Sequence, residues 1–226
     1  MITEISYILD ADMPRWPTNP AERLEKVLSF ENGDPNNAFS CYHHMHNGTH
    51  VDAPGHFSRG ARMIEEIPVE DFYYTNPVLL DFPRGKGGSV GREELQKYED
   101  ILENADLVCL YFHYADIRAK DPCRYVDDFP TMTPEAAVYL RSRFPKLKAV
   151  AVDAVGVDST VTASEAGFPV HKALLDGDGY RPLLIYEDVD LKKMSEISGS
   201  IKEVCAFPVR WKGAEAGPVS MAVISE

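Results

Sequence analysis

Thiols are scarce in this chain: four cysteines in 226 residues, Cys41, Cys109, Cys123 and Cys205, scattered and without a C-x-x-C pair. A chain of this length buries about 70–75% of the surface its unfolded form exposes, so it can build a core without disulfide or metal staples. The cysteines are therefore expected as buried free thiols, and any metal as a chemical reagent. Long apolar runs are missing too. The longest, such as Leu107 to Phe112, fall far short of the ~20 residues of a spanning helix, and the opening Met1-Ile2-Thr3-Glu4 lacks the basic-then-apolar pattern of a signal peptide. The expectation is a cytoplasmic protein with no membrane partner. Positive charge is the third shortage. With 23 Lys+Arg against 36 Asp+Glu the formal net charge is −13, and no Lys/Arg block exists to meet a phosphate backbone, so nucleic acid is excluded as a partner.

Several familiar reactive patterns are also absent. There is no G-x-S-x-G elbow, which disfavours a serine hydrolase mechanism and leaves Ser159 a loop serine. Arg84-Gly85-Lys86-Gly87-Gly88-Ser89-Val90-Gly91 fits neither phosphate-cradling motif and reads as a flexible turn. Asp176-Gly177-Asp178-Gly179, with Glu187 at the twelfth position, imitates a calcium loop. Arg181 stands where that loop demands glycine, however, and Pro182 follows.

Strand and helix signals alternate along the chain. Thr3 to Leu9 reads as a strand, closed by Pro14, Pro17 and Pro20. Ala21 to Phe30 is ambiguous, residues 31–37 form a loop, and Ala38 to His43 is a candidate strand. Apolar strands are expected at Val78 to Phe82, Leu107 to Phe112, Ala149 to Val152 and Leu183 to Tyr186. Helices are expected near Gly91 to Glu103, from Thr133 as N-cap with Pro134 first in the helix, around Ser164 to Leu175, and near Asp190 to Ile197. Val204 to Val209 and Val219 to Ile224 flank a Gly-containing turn and read as a closing hairpin, so the sheet is expected to be mixed. With no repeat or linker, residues 1–226 read as a single α/β domain.

The chemistry concentrates in His46-Asn47-Gly48-Thr49-His50-Val51-Asp52-Ala53-Pro54-Gly55-His56-Phe57. Gly48, the β-branched Thr49 and Val51, and Pro54 argue against a helix here. In an extended chain His46, His50, Asp52 and His56 all point to one side. The length does not suit one site, since His46 and Asp52 would stand about 20 Å apart, whereas two ligands of one metal cannot exceed roughly 4–4.5 Å. The chain must fold back, and Gly48, Pro54 and Gly55 permit it. Imidazole and carboxylate without thiolate suit Zn²⁺ or Mn²⁺. Further ligands must come from elsewhere in the fold.

The segment His46 to Phe57 resembles, without a gap, the signature H-x-G-T-H-x-D-x-P-x-H-F of the cyclase family of metal-dependent hydrolases, a family that includes kynurenine formamidases, isatin hydrolases and polyketide cyclase-like proteins. Val152 to Ser159 is similar to the family's Asp-containing strand and loop, and His171-Lys172-Ala173-Leu174-Leu175 to its His-x-x-Leu-Leu helix. Phe207-Pro208-Val209, Gly213-Ala214 and Pro218-Val219 resemble its closing hairpin. The resemblance implies an α/β fold with a barrel-like mixed sheet flanked by helices, of the swivelling β/β/α kind, assembled as a homo-oligomer, dimer or tetramer. It implies His46, His50 and Asp52 as metal ligands, His171 and Glu187 as ligands completing a site for one or two ions, and His56 as the catalytic histidine. Two departures stand out: the sixteen-residue step from His171 to Glu187, and Phe112-His113-Tyr114-Ala115 where the family commonly has Arg-Thr-Gly-Trp. The implied activity is hydrolysis of a small amide, arylformamidase-like, with metal-activated water and His56 as acid and base. The alternatives are ring opening of a cyclic amide or lactone, and a non-catalytic metal-stabilised binding protein.

Overall fold

The computed structural model describes residues 1–177 and 179–226; Asp178, part of the imitation calcium loop, lies outside the described residues. The strands are β1 Ile2–Glu4, β2 Arg23–Leu28, β3 Ala38–Tyr42, β4 His50–Asp52, β5 Tyr73–Tyr74, β6 Pro77–Asp81, β7 Ser89–Val90, β8 Leu107–Tyr111, β9 Thr131–Met132, β10 Ala149–Val152, β11 Leu184–Glu187, β12 Ile201–Pro208 and β13 Ala216–Ser225. The helices are α1 Arg92–Gln96, α2 Glu99–Leu102, α3 Ala115–Lys120, α4 Pro122–Tyr125, α5 Pro134–Arg143, α6 Ala163–Ala166, α7 Pro169–Leu175 and α8 Leu191–Ser195.

One mixed sheet dominates, in the order β5-β12-β13-β4-β11-β10-β8-β6, with β1 added to β13. From β6 to β11 the neighbours run parallel; from β11 through β4 and β13 to β5 they run antiparallel. The two end strands, β5 and β6, are separated in sequence only by Thr75 and Asn76, so the sheet must curl until its ends approach. Asp106 pins this junction, its carboxylate accepting from the backbone N–H of Thr75 at 2.7 Å and of Asn76 at 2.9 Å. The result is a nearly closed, barrel-like sheet, mixed as the strand pattern predicts and curled as the family resemblance implies.

The inner parallel strands β8, β10 and β11 are buried on both faces, which is why they read as apolar runs. Leu107, Cys109, Ala149, Ala151, Leu184 and Tyr186 join β12 and β13 side chains in one core cluster inside the curl. Val108, Leu110, Val150, Val152 and Ile185 face the helices in the other, against Leu140, Val170 and Leu174. The alternation also decides where β4 puts its groups. Val51 enters the inner core, so His50 and Asp52 point to the helix side.

Thr133 caps α5 as expected, its hydroxyl accepting from Ala136 N at 3.2 Å. Other boundaries differ. The first strand stops at Glu4, since Tyr7 N turns to the Thr49 side chain at 2.9 Å and Ile8 is exposed. The helix expected over Gly91 to Glu103 breaks into α1 and α2, and Ile101 faces solvent. That expected over Ser164 to Leu175 breaks into α6 and α7. Gly167 and Phe168 there take positive φ, 74° and 55°, and Pro169 has no N–H and disfavours helical backbone before it. All four cysteines are free, but only Cys109 is buried; Cys41 lies on the β2–β3 hairpin, which among the described residues pairs with no other strand, and Cys123 on α4, both exposed. Among the described residues no helix is long and apolar enough to cross a membrane.

Candidate metal centre

Gly48 turns the chain at φ 66°, and a Cβ there would stand 2.7 Å from Leu9 Cδ2. The positive φ is what favours glycine here, since the Leu9 side chain could move aside, and the turn folds His46 back over β4. On the far side Pro54 to His56 form a 3₁₀ turn that swings His56 and Phe57 towards α7. In the ladder β4 lies between β11 and β13, with His50 directly opposite Glu187 and Asp52 opposite Ala216. The helix α7 brings His171 from above. The six candidates from sequence therefore meet, although His171 and Glu187 are more than a hundred residues from His46.

The donor atoms converge. His46 Nδ1 is 2.9 Å and His50 Nε2 3.4 Å from Asp52 Oδ1, and His171 Nε2 is 3.7 Å from Asp52 Oδ2. Glu187 bridges likewise, Oε2 at 3.3 Å from His50 Nε2 and Oε1 at 3.3 Å from His171 Nε2. Tetrahedral ligands at ~2.1 Å from one ion stand about 3.4 Å apart, which is this spacing. Close as they are, His50 Nε2 and both Asp52 oxygens are fully buried without an aligned hydrogen bond. A buried carboxylate with no donor costs several kcal/mol unless a cation completes it. The donor set thus fits a divalent metal. Donors of His46, His50 and Asp52, and of Asp52, His56 and His171, lie within 4.8 Å of one another in each trio.

The electrostatics agree with crowded opposite charges. Burial opposes a charge on His46, but Asp52 and Glu215 outweigh it and raise its pKa to about 8. Burial also opposes charge on His171, which hydrogen bonds to Asp158 and Glu187 nevertheless raise to about 10. His50 is pushed up against its burial by Asp52 and Glu187. His56 is the exception. Burial lowers it to about 4, Asp52 opposing in part while His46 and His171 add to the fall, so its imidazole is neutral. Its ring lies 4.1 Å from that of His46 and makes no side-chain hydrogen bond among the described residues.

His46, His56, His171 and Glu187 floor a cavity of about 430 Å³ walled by Trp16, Phe57 and Phe168, with Thr18, Asn19, His44 and Glu215 also on its lining. The rings form a chain, Trp16 to Phe168 at 6.1 Å, Phe168 to Phe57 at 5.2 Å and Phe57 to His171 at 4.8 Å. Among the described residues no Lys or Arg lines it. Phe57 is part of the histidine segment, but sequence reasoning missed Trp16, Asn19, His44, Phe168 and Glu215. Trp16 and Asn19 sit in the Pro-rich stretch, tied down by the buried Asn47, which accepts from Asn19 Nδ2 at 2.9 Å and donates to Pro20 O at 2.9 Å. Glu215 lies in a segment that reads only as a turn.

Two neighbouring acids do structural work. Asp158 accepts from the backbone N–H of Val170 and His171 and holds His171 Nδ1 at 2.7 Å. Asp153 accepts from Phe112 N at 2.8 Å and Tyr114 N at 2.7 Å, and burial raises its pKa to about 6 in spite of those donors. The segment Phe112 to Ala115, a departure from the family pattern, thus binds Asp153 through its backbone. It does not line the cavity: Tyr114 packs beside Tyr125, and His113 is exposed, paired with Asp81 and stacked on Tyr111. The other departure, the long step to Glu187, leaves Glu187 in place opposite His50.

Comparison with known proteins places this geometry. A kynurenine formamidase of Bacillus anthracis is 23% identical over 221 residues, 97% of this chain and 95% of that one. Isatin hydrolase A from Labrenzia aggregata, solved with benzyl benzoate, superposes with a TM-score of 0.84 at 20% identity, over 100% of this chain and 94% of that one. A structure described as a potential metal-dependent hydrolase with cyclase activity gives 0.73 at 20% identity, covering 100% and 98%. Residues 3–159, which carry the histidine segment, match the family described as "Putative cyclase", and the chain belongs to this Cyclase family.

Proposed function

We propose that this protein is a metal-dependent hydrolase that cleaves the C–N bond of a small aryl amide, with N-formylkynurenine as the leading candidate substrate. The observation that carries the reading is the pairing of a convergent His/Asp/Glu donor set with a neutral His56, free of side-chain hydrogen bonds among the described residues, on the floor of an aromatic-walled cavity. Relatives named kynurenine formamidase that match nearly end to end support the amide. His46, His50, Asp52, His171 and Glu187 would hold one or two ions, Zn²⁺ first and Mn²⁺ second, since the donors are imidazole and carboxylate. A bound dication supplies Lewis acidity towards the carbonyl and water acidified towards pKa ~7.

The chain's own residues do the rest. Trp16, Phe57 and Phe168 grip the aryl ring by its faces and edges. With no Lys or Arg in the lining, any charged end of the substrate stays in water at the open mouth. His56, neutral at pH 7, takes a proton from the attacking water and delivers it to the departing nitrogen, so that the C–O bond forms as the C–N bond breaks and the amine leaves uncharged. Such positioned proton transfer contributes ~10²–10⁴-fold.

The same attack opens a cyclic amide or lactone, and the fold's likeness to isatin hydrolases supports that second reading. The test is therefore run on both. Metal-loaded protein is assayed with N-formylkynurenine and with isatin, beside His56→Ala. Turnover of one substrate, lost in His56→Ala at unchanged metal content, is the expected result. Equal activity in the variant rejects the role of His56. Metal binding without turnover of either substrate rejects the enzyme reading for these substrates and favours a binding protein.

A further inference from the structure

We propose that Glu215 is the positioning residue that fixes the ring of His46, accepting the Nε2 proton so that Nδ1 is the atom offered to the metal. The inference rests on the metal-site reading above. Each of the three candidate imidazole ligands presents one nitrogen to the shared carboxylates, and the other is engaged. His50 Nδ1 is 2.9 Å from Gly48 O, and His171 Nδ1 is 2.7 Å from Asp158. For His46 the order of the ring is reversed. Nδ1 faces Asp52 at 2.9 Å, and Nε2 faces Glu215 Oε1 at 3.1 Å.

That reversal gives Glu215 its importance. The other two rings are almost enclosed, with side chains 1% and 6% exposed, whereas His46 is 15% exposed and stands at the cavity wall. An imidazole turned by half a revolution about its Cβ–Cγ bond puts carbons where Nδ1 and Nε2 stood, and its tautomer follows whichever nitrogen finds an acceptor. A carboxylate acceptor on Nε2 selects the Nε2–H tautomer and leaves the Nδ1 lone pair free, the role outer-sphere carboxylates commonly play at histidine metal sites. Glu215 is delivered to this place by the same ladder that holds Asp52. Asp52 pairs with Ala216, and Ala53 N donates to Glu215 O at 2.9 Å, so the acid stands one residue beyond the ligand's own partner. Its oxygen also lies within 4.8 Å of a His56 nitrogen, which makes action on His56 the rival role.

Cobalt titration of the chelator-stripped protein, in competition with a chromophoric chelator and followed by its d–d absorption, separates these roles. Wild type should bind and show the bands. Glu215→Ala should bind ~10–100-fold more weakly with altered bands, the usual cost of losing such a partner. Glu215→Gln, whose amide oxygen still accepts the proton, should recover most of the affinity. The metal-free variants should melt with the wild type, because the Glu215 side chain is 38% exposed and, among the described residues, bonds to His46 alone. Wild-type affinity and bands in Glu215→Ala, or Glu215→Gln as weak as Glu215→Ala, overturn the assignment. So does loss of turnover at unchanged affinity, which transfers the role to His56. A wild type that binds no cobalt overturns the metal reading itself, and this inference with it.

Discussion

Arg118→Met should destabilise the metal-free protein by about 3–5 kcal/mol, the usual cost of removing one partner of a buried ion pair. Asp188 is buried, and its carboxylate receives Arg118 Nε and Nη2 in a bidentate pair, both at 2.7 Å, with the Tyr125 hydroxyl donating at 2.7 Å. The guanidinium also lies 3.7 Å above the centre of the Tyr7 ring. Without Arg118 a buried carboxylate keeps one neutral donor. For a chain of 150–250 residues each kcal/mol is worth about 2–4 °C, so the melting temperature should fall by about 6–20 °C. The strain is local to the site: Asp188 follows Glu187 and takes φ 53°, a conformation held by these contacts and by Thr49, whose hydroxyl donates to Asp188 O at 2.6 Å. Urea denaturation of the chelated protein measures the loss without a bound ion's contribution. The double variant Arg118→Met/Asp188→Asn supplies the control. Asparagine tolerates this backbone and still accepts from Tyr125, so the double variant should be more stable than the sum of its single variants predicts. Recovery stays incomplete because the contact with Tyr7 is gone. A single variant within about 1 kcal/mol of wild type, at the level of an exposed pair, would refute the reasoning, as would strict additivity.

Asp158→Ala should lower stability by about 1–3 kcal/mol by leaving the buried N–H groups of Val170 and His171 without their acceptor and weaken zinc binding ~10–100-fold through His171; thermal melts of metal-free protein and chelator competition read the two effects separately, and wild-type values in both contradict it. Asp153 predicts a pH effect. Its folded pKa, about 6 against an ordinary 3.8, means that the folded chain binds this proton more tightly. Its contribution is therefore fully present below pH ~4 and lost as pH rises through 6, by about 3 kcal/mol in all. The stability of wild type relative to Asp153→Asn should fall across that window; a flat difference refutes it.

The chemistry of the site was legible because it is local. His46, His50, Asp52 and His56 keep their order and side within eleven residues, and the same spacing that makes a straight strand too long demands the turn that Gly48 makes at φ 66°. The parallel strands were legible because burial on both faces leaves an apolar run, as at Leu107–Tyr111 and Ala149–Val152. Boundaries set by backbone strain were not: Gly167 and Phe168 divide a segment whose apolar spacing is helical throughout.

The sequence by itself determined which donors exist, that they are imidazole and carboxylate, and that one short segment must bend to gather them. Tertiary structure decided what they face. Glu187 reaches His50 because β11 and β4 pair in one register, and a slip of one residue would turn its side chain to the opposite face. Glu215 meets His46 because β13 pairs with β4, and Trp16 reaches the cavity wall through the ties of Asn47 to its neighbours Asn19 and Pro20. Hydrogen-bond register across the sheet and the buried ties of Asn47 are relations between distant segments, and no local pattern encodes them.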